Sequence, residues 1–372
     1  QQRYLKNFKI FCLIQSMIEL DGSYLEGGGQ IVRTALALSA LTGKAFKVTK
    51  IRTGRAKPGL KAQHLYAIRA VAKICDANYK GAAIASKELE FIPGKLKPSK
   101  FEINIGTAGS ITLLLQALLL PSCFVASNFR IIGGTNVAWS MPIEYFENVL
   151  LRHYKNFAEI KLNLIRRGYY PKGGGIVDIA TLPKTLTKTL PKIEIKNGKF
   201  EFLKKIELVE RGELIEVKGI SHAAKFLQKR KVAERQRDAA INELSKLNCQ
   251  INIDIEYAET FSPGSGLTLW AIFKAEKEPI VLGADFLGDP KLTAEDVGKK
   301  AALKLMEEID SGACVDEHLA DNLIPIMALA EKSAIKVSKI SNHTLTNMYV
   351  VENFLGKMFE IENNIIKKLK RF

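Results

Sequence analysis

Paired cysteines are missing from this chain. The five present, Cys12, Cys75, Cys123, Cys249 and Cys314, stand far apart. No C-x₂₋₄-C pair occurs, so neither a zinc knuckle nor a disulfide framework is signalled. Isolated thiols suit a reducing compartment, and a cytoplasmic location is expected. Long apolar runs are missing too. The best candidate, Ile111 to Val125, falls short of the ~18 residues a membrane span needs, and Gln116, Pro121 and Ser122 interrupt it. No membrane partner is expected. Ile10–Ile14 is too short and too poorly flanked for a signal peptide. The P-loop, dinucleotide-fold and H-E-x-x-H patterns do not occur, so nucleotide chemistry here needs an unusual site. Aromatics are only 8% of residues, without an RRM-type signature and without clustering near the basic loop described below. Recognition of a nucleic acid is therefore expected to rest on phosphates rather than on sequence.

The sharpest local absence is acid. From Gly27 to Cys75 there is no Asp or Glu. A window of this length would carry about five at the chain's average. The same stretch holds Arg33, Lys44, Lys47, Lys50, Arg52, Arg55, Lys57, Lys61, Arg69 and Lys73. A solvated surface normally mixes signs. Arg52, Arg55 and Lys57 share the tight loop Ile51-Arg-Thr-Gly-Arg-Ala-Lys-Pro-Gly59, and guanidinium forks match phosphate geometry. The whole chain follows this bias, with 55 Lys plus Arg against 39 Asp plus Glu and a formal charge of +16. A polyanionic partner is favoured, nucleic acid above all.

What is present otherwise is an ordinary globular chain of 372 residues, 47% hydrophobic and 25% charged. Its length supports about two domains, and its composition excludes disorder. Internal repetition organises it. Glu26-Gly-Gly-Gly-Gln30 runs into an apolar helix closed by Gly43, and Gly106-Thr-Ala-Gly-Ser110 into another closed by Pro121. Each helix is followed by a strand (46–52; 129–132), a second helix starting near Leu60 or Pro142, and a closing strand pair. The unit reads β-α-β-α-β-β with a period of about eighty. A third copy is split: helices at 292–309 and 316–330, a strand at Ala334, and a helix from Thr344 to Leu355. The expected fold class is α+β, with three such repeats forming one catalytic domain (17–185 and 285–372). Whether sheets lie inside or outside the helices stays open. A small α+β insert is expected over 186–284, after a linker-like Pro183, Lys184 and Pro191. Residues 1–16 read as an extension, because Met17 opens a clean strand.

Two glycine turns could carry chemistry. Small residues before a helix let a ligand approach the N-terminal amides, where the dipole favours anions. Glu26 beside that basic field could hold a divalent metal bridging to phosphates; a surface Glu on a glycine turn is the equally weighted alternative. The turn at 106–110 leans structural. Of five histidines, His343 lies in the polar run Ser341-Asn-His-Thr-Leu-Thr-Asn347 between a strand and a helix, a rim position. His318 and Asp321 share a helical face.

Three segments now gather into one pattern. Leu20-Asp-Gly-Ser-Tyr-Leu-Glu-Gly-Gly-Gly-Gln30, Arg52-Thr-Gly-Arg-Ala-Lys-Pro-Gly-Leu60 and Arg167-Gly-Tyr-Tyr-Pro-Lys-Gly-Gly-Gly175 resemble the signatures of RNA 3′-terminal phosphate cyclases, the last being the most specific. The resemblance continues through Val232-Ala-Glu-Arg235, Glu317-His-Leu-Ala-Asp321 and His343-Thr-Leu-Thr-Asn347. It covers Met17 to about Phe359. It implies a three-repeat catalytic domain with an insert, and ATP-dependent conversion of an RNA 3′-phosphate to a 2′,3′-cyclic phosphodiester. A histidine first takes AMP, which then passes to the RNA phosphate. By this resemblance His343 is the nucleophile and Glu26 binds a divalent metal (Mg or Mn). Arg33, Arg52 and Arg55 bind phosphates, and Gln63 touches the RNA phosphate. Gln116 and the run His318, Leu319, Ala320, Asp321 and Asn322 contact the nucleotide. His318 stands where bacterial members carry Tyr, and Asn322 where Gln is common. The cyclase-like ribosome-biogenesis factors, which bind without catalysis, lack the nucleophile that His343 supplies here. Enolpyruvyl transferases use similar repeats but need six.

Overall fold

The computed structural model describes residues 17–184 and 205–369. The expected extension at 1–16 and Pro191 of the expected linker lie outside them.

Strand β1 (Ile18–Asp21) leads to helix α1 (Gln30–Thr42), β2 (Phe46–Thr49), α2 (Ala62–Cys75), β3 (Asn78–Lys80) and β4 (Leu89–Ile92). Gly43 stops α1 in a left-handed conformation, its N–H bonding Ser39 O, the usual office of a glycine one residue past a helix. A second run repeats the order: β5 (Ser99–Asn104), α3 (Ile111–Ser122), β6 (Ser127–Gly133), an irregular helical segment over 143–154, β7 (Ala158–Arg166) and β8 (Gly175–Pro183). Pro183 is the last residue of β8, paired with Ala158, and not part of a linker. Then come β9 (Ile206–Leu208), β10 (Leu214–Ala224), α4 (Val232–Leu244), β11 (Gln250–Ala258), β12 (Ser265–Phe273), β13 (Ile280–Leu287) and α5 (Ala294–Asp310). The described chain closes with α6 (Glu317–Leu329), β14 (Ser333–Lys336), α7 (Asn342–Leu355), β15 (Phe359–Glu362) and β16 (Ile365–Lys368).

Three four-stranded sheets share one arrangement: β1-β2-β4-β3, β5-β6-β8-β7 and β9-β14-β16-β15. In each, the first pair is parallel and the other two pairs are antiparallel. The helices lie inside. α1 packs on α2, α3 and α7, and every residue of it except Arg33 is buried. In α3 only Leu113 and Gln116 escape burial. A helix apolar all round belongs in an interior. The sheets form the outer skin, as the alternation of buried and half-buried residues along β8 shows.

The fourth sheet, β11-β10-β12-β13, has its own core, in which Val217, Leu269 and Leu282 meet Leu244 of α4 and Leu305 of α5. Its membership differs from the expected 186–284 at both ends. β9 pairs with β14 of the third sheet. Helix α5, assigned from sequence to the third repeat, packs on α4, β12 and β13 instead. Its apolar stripe was legible; which sheet it covers was not, because amphipathicity carries no address.

The fourth sheet is tied to the second by the most specific sequence signature. Arg167, 1% exposed, donates to both carboxylate oxygens of Glu256 on β11 (2.7 and 2.6 Å) and pairs with buried Glu144. Asn136 donates to Glu144 (2.7 Å) and faces His222 Nε2 of β10 (3.1 Å), whose Nδ1 meets the Tyr169 hydroxyl (2.7 Å).

Candidate active site

The two polar gaps in the buried helices face each other. Arg33 Nε of α1 donates to Gln116 Oε1 of α3 at 2.8 Å, and Gln116 Nε2 donates to Asn322 Oδ1 of α6 at 2.8 Å. Asn322 Nδ2 reaches Asp321 Oδ1 at 2.6 Å. From α7, Asn347 donates to Asp321 O (2.7 Å) and accepts from Thr34 (2.7 Å). A pocket lies among these groups, with Gln30 at its rim and Tyr154 and Pro325 on its wall. Burial pushes the Asp321 carboxyl up to about 7, against the pull of His318 and Arg33. Burial likewise brings the Arg33 guanidinium down to about 10, with Asp321 opposing. A cleft lined by groups so perturbed is a candidate functional site.

His343 stands at the first turn of α7, beside that pocket. Gln30 Nε2 donates to the His343 carbonyl at 2.5 Å. That bond turns Gln30 Oε1 toward His343 Nδ1, which contacts it and must carry the proton. Nε2 therefore carries the lone pair when the ring is neutral, and donates to Glu26 Oε2, 3.1 Å away, when the ring is protonated. Burial lowers the imidazole pKa; Glu26 opposes this, while Arg33 and Arg55 add to it. Arg55 Nη2 in turn donates to Glu26 at 3.0 Å. An imidazole nitrogen, one carboxylate and a set of guanidinium groups thus converge from α7, the turn before α1, α1 itself and the 51–59 loop.

The other expected residues divide. Arg52 adopts φ +55, and its buried Nε has no hydrogen-bond partner among the described residues. Burial and the Arg55 charge depress its pKa. His318 is exposed and sets its ring edge-on to Tyr145 at 6.4 Å. Leu319 and Ala320 do not face the pocket; their side chains are 1% and 0% exposed, in the core. Gln63 is not in the His343 cluster either; its Oε1 accepts from Ser110 N–H at 3.4 Å, over the second glycine turn.

The glycine run also needs correction. A Cβ on Gly29 would collide with the His64 ring, so Gly29 makes room for a side chain and not for a ligand. His64 is 2% exposed, accepts the Lys61 N–H at 3.0 Å, and is held neutral by burial and by Arg33, Arg52 and Lys61. Gly28 is the open one, with His343 Cε1 among the nearest atoms at 3.9 Å. No side chain caps α1, whereas Ser110 caps α3 by accepting from Leu113 N–H at 3.1 Å. The amides of α1 beside His343 are left for an anion.

A metal has fewer partners here. No three His, Cys, Asp or Glu side chains among the described residues could enclose an ion. Magnesium held largely by phosphate oxygens needs only one or two carboxylates; Glu26 supplies one. Among the described residues no helix is long and apolar enough to cross a membrane.

Gln30, Thr34 and Asn347 escaped sequence reading. They are ordinary polar residues inside helices, and only the crossing of α1 and α7 gives them a role.

Comparison with known proteins bears on the same residues. The sequence profile of the RNA 3′-terminal phosphate cyclases matches residues 24–361, a span holding every side chain of the cluster. A protein of Pyrococcus abyssi named RNA 3′-terminal phosphate cyclase is 44% identical over 354 residues, 94% of this chain and 97% of its own. Proteins of the same name from Archaeoglobus fulgidus and Methanosarcina barkeri are 41% and 43% identical, over 94% and 93% of this chain and 99% and 97% of theirs. With the match running unbroken from the Glu26 turn past His343, the chain belongs to the RNA 3′-terminal phosphate cyclase family.

Proposed function

We propose that this protein uses ATP to convert an RNA 3′-terminal phosphate to a 2′,3′-cyclic phosphodiester, with His343 as the covalent nucleophile. The observation that carries the reading is the Gln30 clamp. With Nδ1 held by Gln30 Oε1, the lone pair of the neutral ring falls on Nε2, which becomes available once Glu26 turns from it to a divalent ion. Neutral imidazole attacks the α-phosphorus of ATP; the Nε2–P bond forms, the α–β P–O bond breaks, and pyrophosphate leaves. An oxygen of the RNA 3′-phosphate next attacks that phosphorus and the N–P bond breaks, restoring His343. The terminal 2′-oxygen then attacks the 3′-phosphorus and AMP departs. A phosphomonoester is a poor electrophile until it carries such a leaving group. Arg33, Arg52 and Arg55 would neutralise charge at each transfer. Arg55 would exchange Glu26 for a phosphate, leaving Glu26 free to hold a divalent ion. That ion would neutralise phosphate charge.

The test uses RNA ends. Oligonucleotides ending in 3′-phosphate react whatever their sequence, and the same RNA ending in 3′-hydroxyl does not cyclise. A 2′-deoxy terminal nucleotide stalls after adenylylation, leaving a 3′-pp-A end, because the attacking oxygen is missing. Normal AMP release from the deoxy end would overturn the mechanism.

The arginines provide a second check. Loss of one charge-assisted contact is worth about 1.5–3 kcal/mol, so Arg52→Ala or Arg55→Ala slows cyclisation by roughly ten- to a hundredfold. Lys44→Ala does not, because Lys44 bonds the Phe354 carbonyl at the far end of α7. Equal losses in all three would mean a diffuse basic surface.

A further inference from the structure

Three loops emerge at one end of the second sheet. The turn 105–110 follows β5, the loop 134–142 follows β6, and the loop 167–174 joins β7 to β8. They are stitched together there. Gly133 pairs with Gly175, Ser110 bridges Gly134, and Thr135 N–H bonds Gly168 O at 2.9 Å. Gly173 lies so close to Ala108 that a Cβ on it would be 2.8 Å from the Ala108 Cα.

This end carries the most exposed aromatic side chains of the described chain. Trp139 is 98% exposed and Tyr170 76%. Trp139 is also held at φ +67, a region that a bulky residue enters at a cost. Phe261, 55% exposed, arrives from the β11–β12 loop and lies against Gly174. Basic groups interleave. The Arg166 guanidinium lies over the Phe261 ring at 4.3 Å and is fixed there by Gly174 O at 2.7 Å. Lys172 is exposed, its backbone N–H bound to Ser262 Oγ at 3.0 Å. The nearby Glu259 is paired with Lys225 at 2.7 Å.

Helix α3 links this rim to the polar pocket. Thr112 donates to Met141 O at 2.8 Å, and Gln116, one turn further along α3, bonds Arg33. Trp139, two residues from Met141, is thus within roughly 7 Å of that backbone. On the other side Gln63 touches Ser110, while its neighbour His64 fills the space at Gly29.

Exposed rings interleaved with cations, one of them already stacked under the Arg166 guanidinium, make a platform for unstacked bases, since every base has a π-face. We propose that Trp139, Tyr170 and Phe261, with Arg166 and Lys172, hold the nucleotides that precede the terminal phosphate of a single-stranded RNA. The inference rests on the cyclase reading for the identity of the strand. It revises the expectation of phosphate-only recognition: the aromatics are scattered in sequence and converge only in the fold. Binding stays indifferent to sequence because stacking is.

The test measures binding without ATP, so that no turnover is involved. A fluorescein-labelled ten-nucleotide RNA ending in 3′-phosphate is titrated by anisotropy. Trp139→Ala and Tyr170→Ala each weaken binding by roughly 5- to 100-fold, whereas Trp139→Phe and Tyr170→Phe keep most of it. Lys172→Ala lowers the slope of log K against log salt by about 1. Trp139 is one of two tryptophans, so in Trp270→Phe, excited beyond the tyrosine absorption band, it is the sole emitter. RNA quenches that emission and ATP alone leaves it unchanged. Alanine variants that bind RNA like the parent, or quenching by ATP without RNA, overturn the platform. RNA that binds and quenches but is never cyclised would instead overturn the catalytic reading and leave the platform standing.

Discussion

His343→Ala forms no covalent adduct with α-labelled ATP, while the parent retains the label through denaturing electrophoresis in an acid-labile, alkali-stable bond. The loss is complete because no other side chain offers the same arrangement in the cluster. His64 is buried and held neutral, with its Nδ1 engaged by Lys61. His318 is exposed and edge-on to Tyr145. Labelling that survives in the variant would sink the assignment. The pH dependence follows from the site's charges. Burial, with Arg33 and Arg55, depresses the His343 pKa against the pull of Glu26. Its neutral, nucleophilic form therefore persists below pH ~6.5, where an ordinary imidazole is half protonated. Labelling of the parent holds up as pH falls through that value. In Arg55→Gln one depressing charge is gone, and the acidic limb moves upward.

Arg167→Met destabilises the protein by about 3–5 kcal/mol, read as a lower midpoint in urea or heat. The cost is electrostatic. Burial alone would raise the Glu144 pKa; Arg167, followed by His222, outweighs it and holds the carboxylate ionised. Without Arg167 that charge stays buried with too few partners. Adding Glu144→Gln recovers part of the loss, because the stranded charge is removed. A single variant as stable as the parent would mean that water reaches Glu144. The signature Arg167–Gly175 thus has two duties. Its arginine and Tyr169 fasten the fourth sheet to the second, and its exposed Tyr170 and Lys172 belong to the rim.

The alternation of strands and helices was legible before any coordinates, because period and punctuation are local. Gly43 and Pro121 bracket α1 and α3 almost where the structure ends them. The basic loop and His343 were legible as composition. Illegible were the things that depend on who meets whom. The destination of α5 was one. The Gln30 clamp was another, since a glutamine three hundred residues away says nothing of a histidine. Gly29 misled for the same reason: a glycine that admits a ligand and one that admits His64 look alike in sequence. Leu319 and Ala320 came by resemblance as a run, but only Asp321 and Asn322 of that stretch turn polar groups into the pocket.

The pairing of β9 with β14 has a kinetic consequence. Ile206 and Ser333 are partners across about 125 residues, and closing so long a loop must be offset before the contact rewards it. The first two sheets join strands close in sequence and can assemble early. The third has to await the fourth sheet, which occupies the intervening chain. α7 belongs to that late part, and with it His343. As the chain emerges from the ribosome, α7, with His343 and Asn347, is therefore the last part of the cluster to arrive, and a half-made protein holds Glu26 and the arginines without it.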